Sequence, residues 1–162
     1  FNQITFDDTL FAYMEEIDYA WKLQLLGYKN FVEPKSVIYH DGGNFSSRNF
    51  FKSYYNHRNS LILFLTNHNL IFTAILLLPK ILLEVVSLVR YLLLLNFSGM
   101  IAQLSSMIWI LLHPLYIIRR IIKINNFKRK PLYSIIKKMY KPSIVITYFI
   151  FLKKRFSDLS IS

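Results

Sequence analysis

Apolar and polar positions change their rhythm twice along this chain. Between residues 14 and 26 the apolar residues Met14, Ile17, Trp21 and Leu25 recur at three- and four-residue steps, which predicts one face of a short helix. Gly27 follows as a C-cap glycine would. The next stretch is different. Tyr28-Lys-Asn-Phe-Val32 and Ser36-Val-Ile-Tyr-His40 are rich in β-formers, with Glu33-Pro34-Lys35 between them, and predict a strand with a turn inside. From residue 61 to 122 Leu and Ile dominate, and two or three helices are expected. Pro79 and Asn96-Phe-Ser-Gly99 are the expected breaks. Phe97 to Ile118 is 22 residues without a formal charge, long enough to span a bilayer. Leu61 to Leu78 is also uncharged but carries Thr66-Asn-His-Asn69, and Ile81 to Leu95 holds Glu84 and Arg90, costly at a bilayer centre unless paired.

Charge divides the chain as sharply as hydropathy does. Residues 1–41 carry seven acids against three bases, and residues 42–162 carry two against seventeen. Nine Lys or Arg and no acid lie between Arg119 and Lys141, directly after the apolar stretch, which marks a cytoplasmic side by the positive-inside rule. With residues 1–60 on that side too, an even number of crossings is required, and a two-span hairpin satisfies it. A basic segment joined to lipid-like helices points to a membrane with anionic headgroups before nucleic acid. The chain has no cysteine, so disulfide frameworks and thiolate metal sites are excluded. It opens on Phe1-Asn-Gln with no Met and no signal-like run, which reads as a piece of something longer.

The candidate chemistry sits at the start of the first predicted helix, in Glu15, Glu16 and Asp18. Acids in a first turn complement the helix dipole, and the dipole keeps them ionised, the state that a general base needs. Asp18 and Lys22 are spaced to pair at i,i+4. His40 ends the second predicted strand beside Asp41-Gly42-Gly43, where it fits either a structural histidine or a metal or diphosphate contact. Arg58 fits either a phosphate clamp or a membrane-interface residue with Tyr54 and Tyr55 as belt aromatics.

Taken together, Phe6-Asp-Asp-Thr-Leu-Phe-Ala-Tyr-Met-Glu-Glu-Ile-Asp-Tyr-Ala-Trp-Lys22, Leu26-Gly-Tyr-Lys29 and Val37-Ile-Tyr-His-Asp-Gly-Gly43 resemble the family 2 glycosyltransferases, and most closely the rhamnosyltransferase-like ones. The resemblance covers about residues 4 to 65. Ile4-Thr5 stand where the family usually has glycine, and Glu16 where it more often has Asp. The resemblance implies α/β structure at the N-terminal end, an incomplete C-terminal portion of a GT-A fold, followed by an α-helical membrane-associated segment. On this reading residues 1–60 are the end of a catalytic domain, 61–122 are apolar membrane-associated helices with two spans, and 123–162 are a basic amphipathic tail.

The implied activity is inverting transfer of a sugar from a nucleotide-diphospho-sugar donor to a lipid-linked or cell-envelope glycan acceptor. Glu16 is the implied base, with Glu15 and Asp18 beside it. Trp21 and Arg58 are candidate substrate contacts, and His40 is a candidate ligand to a divalent cation, Mg²⁺ or Mn²⁺. No Asp-x-Asp and no Gly-rich phosphate loop occurs in the chain, so most of the donor site is expected to lie outside it, in a missing N-terminal catalytic half. The competing expectation is a small, basic membrane anchor or interaction protein without catalysis.

Overall fold

The computed structural model describes residues 4–39, 50–127, 130–137, 147–148, 151–153, 155 and 158. They form six helices: α1 (Glu15–Leu25), α2 (Phe50–Asn67), α3 (Leu70–Leu93), α4 (Phe97–Leu112), α5 (Pro114–Phe127) and α6 (Leu132–Ile136). Two compact units divide the chain, residues 1–130 and 131–162. The second holds α6, a five-residue helix that begins after Pro131, whose carbonyl accepts from the Ser134 hydroxyl at 2.7 Å.

The expected α/β portion is corrected: there is no strand among the described residues, and their regular elements are all helices. The segment expected as two strands is irregular and open, with Val32 and Tyr39 at 90% and 96% exposure. The turn inside it does form, with Ser36 N–H on the Glu33 carbonyl at 3.0 Å. β-formers report a good fit to a pleated, half-buried surface. No neighbouring strand among the described residues offers one, so the pattern has nothing to pair with.

α1 ends as its sequence requires. Gly27 takes φ +95°, the Tyr28 N–H reaches the Leu23 carbonyl at 3.0 Å, and the Gly27 N–H reaches Gln24 at 3.0 Å, a Schellman motif. The face that α1 buries overlaps its apolar one only in part, however. Asp18, Lys22 and Leu25 are inside, while Ile17 is 50% exposed.

The main packing contact joins α2 to α4, and the buried residues of α4 are Gly99, Ala102, Gln103 and Ser106, of which Gly99 and Gln103 meet Tyr91 and Glu84 of α3. Small residues at these steps let two helices approach closely. α3 runs unbroken through Pro79, which costs it one internal hydrogen bond but does not end it. Asn69 starts α3 by accepting from the Phe72 N–H at 2.8 Å, so the polar stretch 66–69 is where α2 ends and α3 begins. Glu84 of α3 is buried and paired: Lys80 lies at 2.7 Å, His57 of α2 at 3.1 Å, and the Gln103 amide donates to it at 2.6 Å.

Among the described residues one helix, α3, is long and apolar enough to cross a membrane. The expected span from Phe97 to Ile118 is broken at His113, where the axis turns by 75° between α4 and α5. The two together count as a second span only if a bent pair is taken as one.

Candidate functional site

The loop before α1 is built by its own polar residues first. Asp7 Oδ1 accepts from the Thr9 N–H at 3.1 Å, and the Leu10 N–H closes on the Asp7 carbonyl at 2.9 Å. Beyond this turn the backbone is forced. Phe11, Tyr13 and Met14 have φ of 58°, 67° and 67°, the left-handed region that non-glycine residues avoid. Such a path persists only where its surroundings over-determine it. Two adjacent residues of α2 do so. The Asn59 amide, fully buried, donates to the carbonyls of Leu10, Ala12 and Tyr13, each at 2.8 Å. The Arg58 guanidinium donates to the carbonyls of Thr9 and Leu10 and to Asn59 Oδ1. Its faces lie within 5.4 Å of the ring centroids of Tyr54, Tyr55 and Trp109.

A second tie comes from α5. Arg120, 4% exposed, bonds to Asp7 through Nη1 and to Asp18 through Nη2, and its Nε donates to Thr66 Oγ1 at 3.0 Å. Asp18 also takes Lys22 Nζ at 2.7 Å and the Asn67 amide at 3.1 Å. Tyr116, one turn before Arg120, donates its hydroxyl to Asp7 at 3.3 Å. Burial by itself would raise the Asp7 carboxyl. Arg120 beside it, with the Thr9 N–H and Lys22, outweighs that and holds it below its ordinary 3.8.

The held loop and the start of α1 enclose an open cleft of about 350 Å³ lined by Phe6, Asp7, Asp8, Phe11, Glu15 and Glu16. Phe6 stacks on Tyr19, with ring centroids 4.7 Å apart, and Phe11 leans on Tyr55 at 5.3 Å. These rings give the cleft two apolar walls. Glu16 is exposed at its edge; Glu15 is half-buried, and its Oε2 is buried without a hydrogen-bond partner. The arrangement offers an accessible carboxylate at a helix N-terminus beside aromatic faces, which suits proton abstraction from a hydroxyl.

The six residues singled out from sequence have different surroundings. Glu15 and Glu16 meet in the cleft. Asp18 turns away from it into the Arg120–Lys22 network. Trp21 donates its indole N–H to the Asn67 carbonyl at 3.1 Å and sets its ring edge-on to His68. Arg58 is committed to loop carbonyls and aromatic rings. His40 lies outside the described residues. The resemblance implies a divalent cation. Among the described residues no group of three His, Cys, Asp or Glu side chains converges to hold one, and Asp7 is already taken by Arg120. The described residues therefore do not fit a bound cation.

Sequence reasoning missed Asn59 and Arg120. Asn59 had no signal beyond its place in Tyr54-Tyr-Asn-His-Arg-Asn59. Arg120 did have one: Tyr116, Arg120 and Ile124 fall at four-residue steps on one face of α5, separate from Arg119 and Lys123. In comparisons with known proteins, the chain matches no family model, no curated protein and no solved structure.

Proposed function

We propose that this chain supplies the acceptor side of an inverting glycosyltransferase, acting at the cytoplasmic face of a membrane on a lipid-linked or cell-envelope glycan acceptor. The single observation that carries the reading is the cleft itself. A costly left-handed loop, pinned by Arg58, Asn59 and Arg120, ends in two carboxylates that face an open space with aromatic walls. Residues held in such a path cluster at active sites and ligand clamps.

In the proposed reaction an acceptor hydroxyl lies against Phe6 and Phe11. Glu16 takes its proton as the oxygen attacks the anomeric carbon of a nucleotide-diphospho-sugar. The new C–O bond forms as the bond to the diphosphate breaks, and the nucleoside diphosphate leaves with the electron pair from the opposite face, inverting that carbon. Membrane association is supported by α3 and by the exposed leucines and isoleucines of α3 to α5.

The test is sugar transfer by the chain in lipid vesicles, with a panel of nucleotide-diphospho-sugars and a prenyl-phosphate-linked glycan acceptor. Glu16→Gln is expected to lower kcat by about 10²–10⁴-fold, the usual share of general-base catalysis, with KM little changed. A second reading, a basic membrane anchor without catalysis, is favoured by the charge of residues 42–162, which carry seventeen bases against two acids. Turnover that Glu16→Gln leaves unchanged overturns Glu16 as the base, and turnover absent with every donor selects the anchor reading.

A further inference from the structure

We propose that α5 is an interfacial helix which lies on the anionic headgroup surface of a membrane and holds the acid cleft at that level. The inference rests on the membrane association proposed above, and is independent of glycosyl transfer.

Three features of α5 carry it. It cannot continue α4 across a bilayer, because the axis turns 75° at His113. Its 14 residues span about 21 Å at 1.5 Å each, short of the roughly 30 Å hydrocarbon core. Its two sides also serve different neighbours. Tyr116, Ile117, Arg120, Ile121 and Ile124 face the protein. On the opposite side Leu115, Ile118 and Ile122 form an exposed apolar strip at 66%, 52% and 56% exposure. Along one edge of that strip stand Arg119 and Lys123, both exposed and four residues apart.

An apolar strip edged by cations is the pattern of a helix seated at the boundary of headgroups and acyl chains. The sign of the charge selects the partner, since no acid occurs between Arg119 and Lys141 to repel an anionic lipid. The strip also continues an apolar surface already exposed, through Leu111 and Leu112 at the end of α4. Carried through the membrane, α5 would instead place Arg119, Arg120 and Lys123 in hydrocarbon. Because Arg120 on the inner side binds Asp7 and Asp18, a seated α5 fixes the height of the cleft above the lipid.

The chain has no cysteine, so single-cysteine variants can carry an environment-sensitive fluorophore. The full chain is reconstituted into phosphatidylcholine vesicles with or without phosphatidylglycerol. Labels go on Ile118→Cys, Ile122→Cys and, near the middle of α3 on an exposed position, Leu82→Cys. Aqueous iodide is the quencher. With phosphatidylglycerol the labels at 118 and 122 are expected to be blue-shifted, with quenching reduced several-fold. In neutral vesicles, at about 1 M salt where the Debye length is about 3 Å, or with Arg119→Gln plus Lys123→Gln, they return to water. The Leu82 label stays dry in every lipid. Wet labels at 118 and 122 with a dry Leu82 label overturn the proposal and leave membrane association standing. Wet labels at all three sites overturn both. Labels at 118 and 122 that are dry regardless of lipid charge overturn the headgroup assignment.

Discussion

Asn59 has two amide hydrogens and three carbonyls within 2.8 Å, so at least one bond is shared. No other side chain of similar size can satisfy all three. Asn59→Ala leaves buried carbonyls unpaired at about 1–3 kcal/mol each and frees a loop with three left-handed residues. The expected outcome is a loss of at least that size in denaturant unfolding in detergent, with Glu16-dependent activity lost before the fold is. Asp7 makes a prediction about pH. Its carboxyl is held below 3.8 in the folded protein, so its contribution to stability is complete above the unfolded value and disappears as pH falls through the lower, folded one. Asp7→Asn is therefore expected to lower stability at neutral pH, to begin converging with the unmodified protein only below about pH 4, and to meet it once pH falls past the lower, folded value. Thermal melts across that range check the sign. Arg120→Met strands Asp18, which is 1% exposed, with only Lys22 for counter-charge, and a cost of about 3–5 kcal/mol is expected in the same unfolding assay.

The elements were unevenly legible from sequence, and α1 shows why. Its acids, its Gly27 cap and its Asp18–Lys22 pair follow from local rules, and all three form. Its buried face does not follow from them. An apolar count selects Ile17 and Trp21, but Arg120, which lies 102 residues away in the chain, draws Asp18 inside, and Asp18 holds Lys22 there with it. Periodicity cannot weigh a counter-ion from another helix. The same limit hid the break at His113: formal charge and hydropathy run on through Ile118, whereas the chain turns where Pro114 opens a new helix. Asn69 and Asn96, by contrast, could be read as caps from residue type and both act as caps. At the contact between α3 and α4, a Cβ on Gly99 would lie 2.5 Å from the Tyr91 ring. Tyr91 OH is also 3.3 Å from His57. Gly99→Ala is expected to displace that ring and cost about 1–3 kcal/mol, as overpacking does; the same variant with Tyr91→Leu recovers part of it.

Over the whole of the first unit, polar and apolar positions are distributed unlike those of a water-soluble domain. Arg58, Asn59, Glu84, Gln103 and Arg120 are buried, whereas much of the Leu and Ile of α3 to α5 is exposed. This was legible in outline, because a leucine-rich stretch with a basic flank points to lipid whatever its tertiary contacts. The missing strands were not legible, since β-propensity is satisfied only by a partner and a sequence pattern cannot show that one is present. The candidate site lies between these cases. Glu15 and Glu16 were visible as acids at a helix start; the clamp that presents them was not, because Asn59 reaches the Tyr13 carbonyl over 46 residues of chain and Arg120 reaches Asp18 over 102.

Glu16 is the proposed base, and rescue by a small carboxylate tests that role most directly. Glu16→Ala removes the proton acceptor and leaves a space at the lip of the cleft. Added formate is predicted to restore sugar transfer in proportion to its concentration, and to have no effect on Asn59→Ala, whose defect is in the loop. Full activity of Glu16→Ala without formate, or rescue of Glu15→Ala in its place, would contradict the assignment.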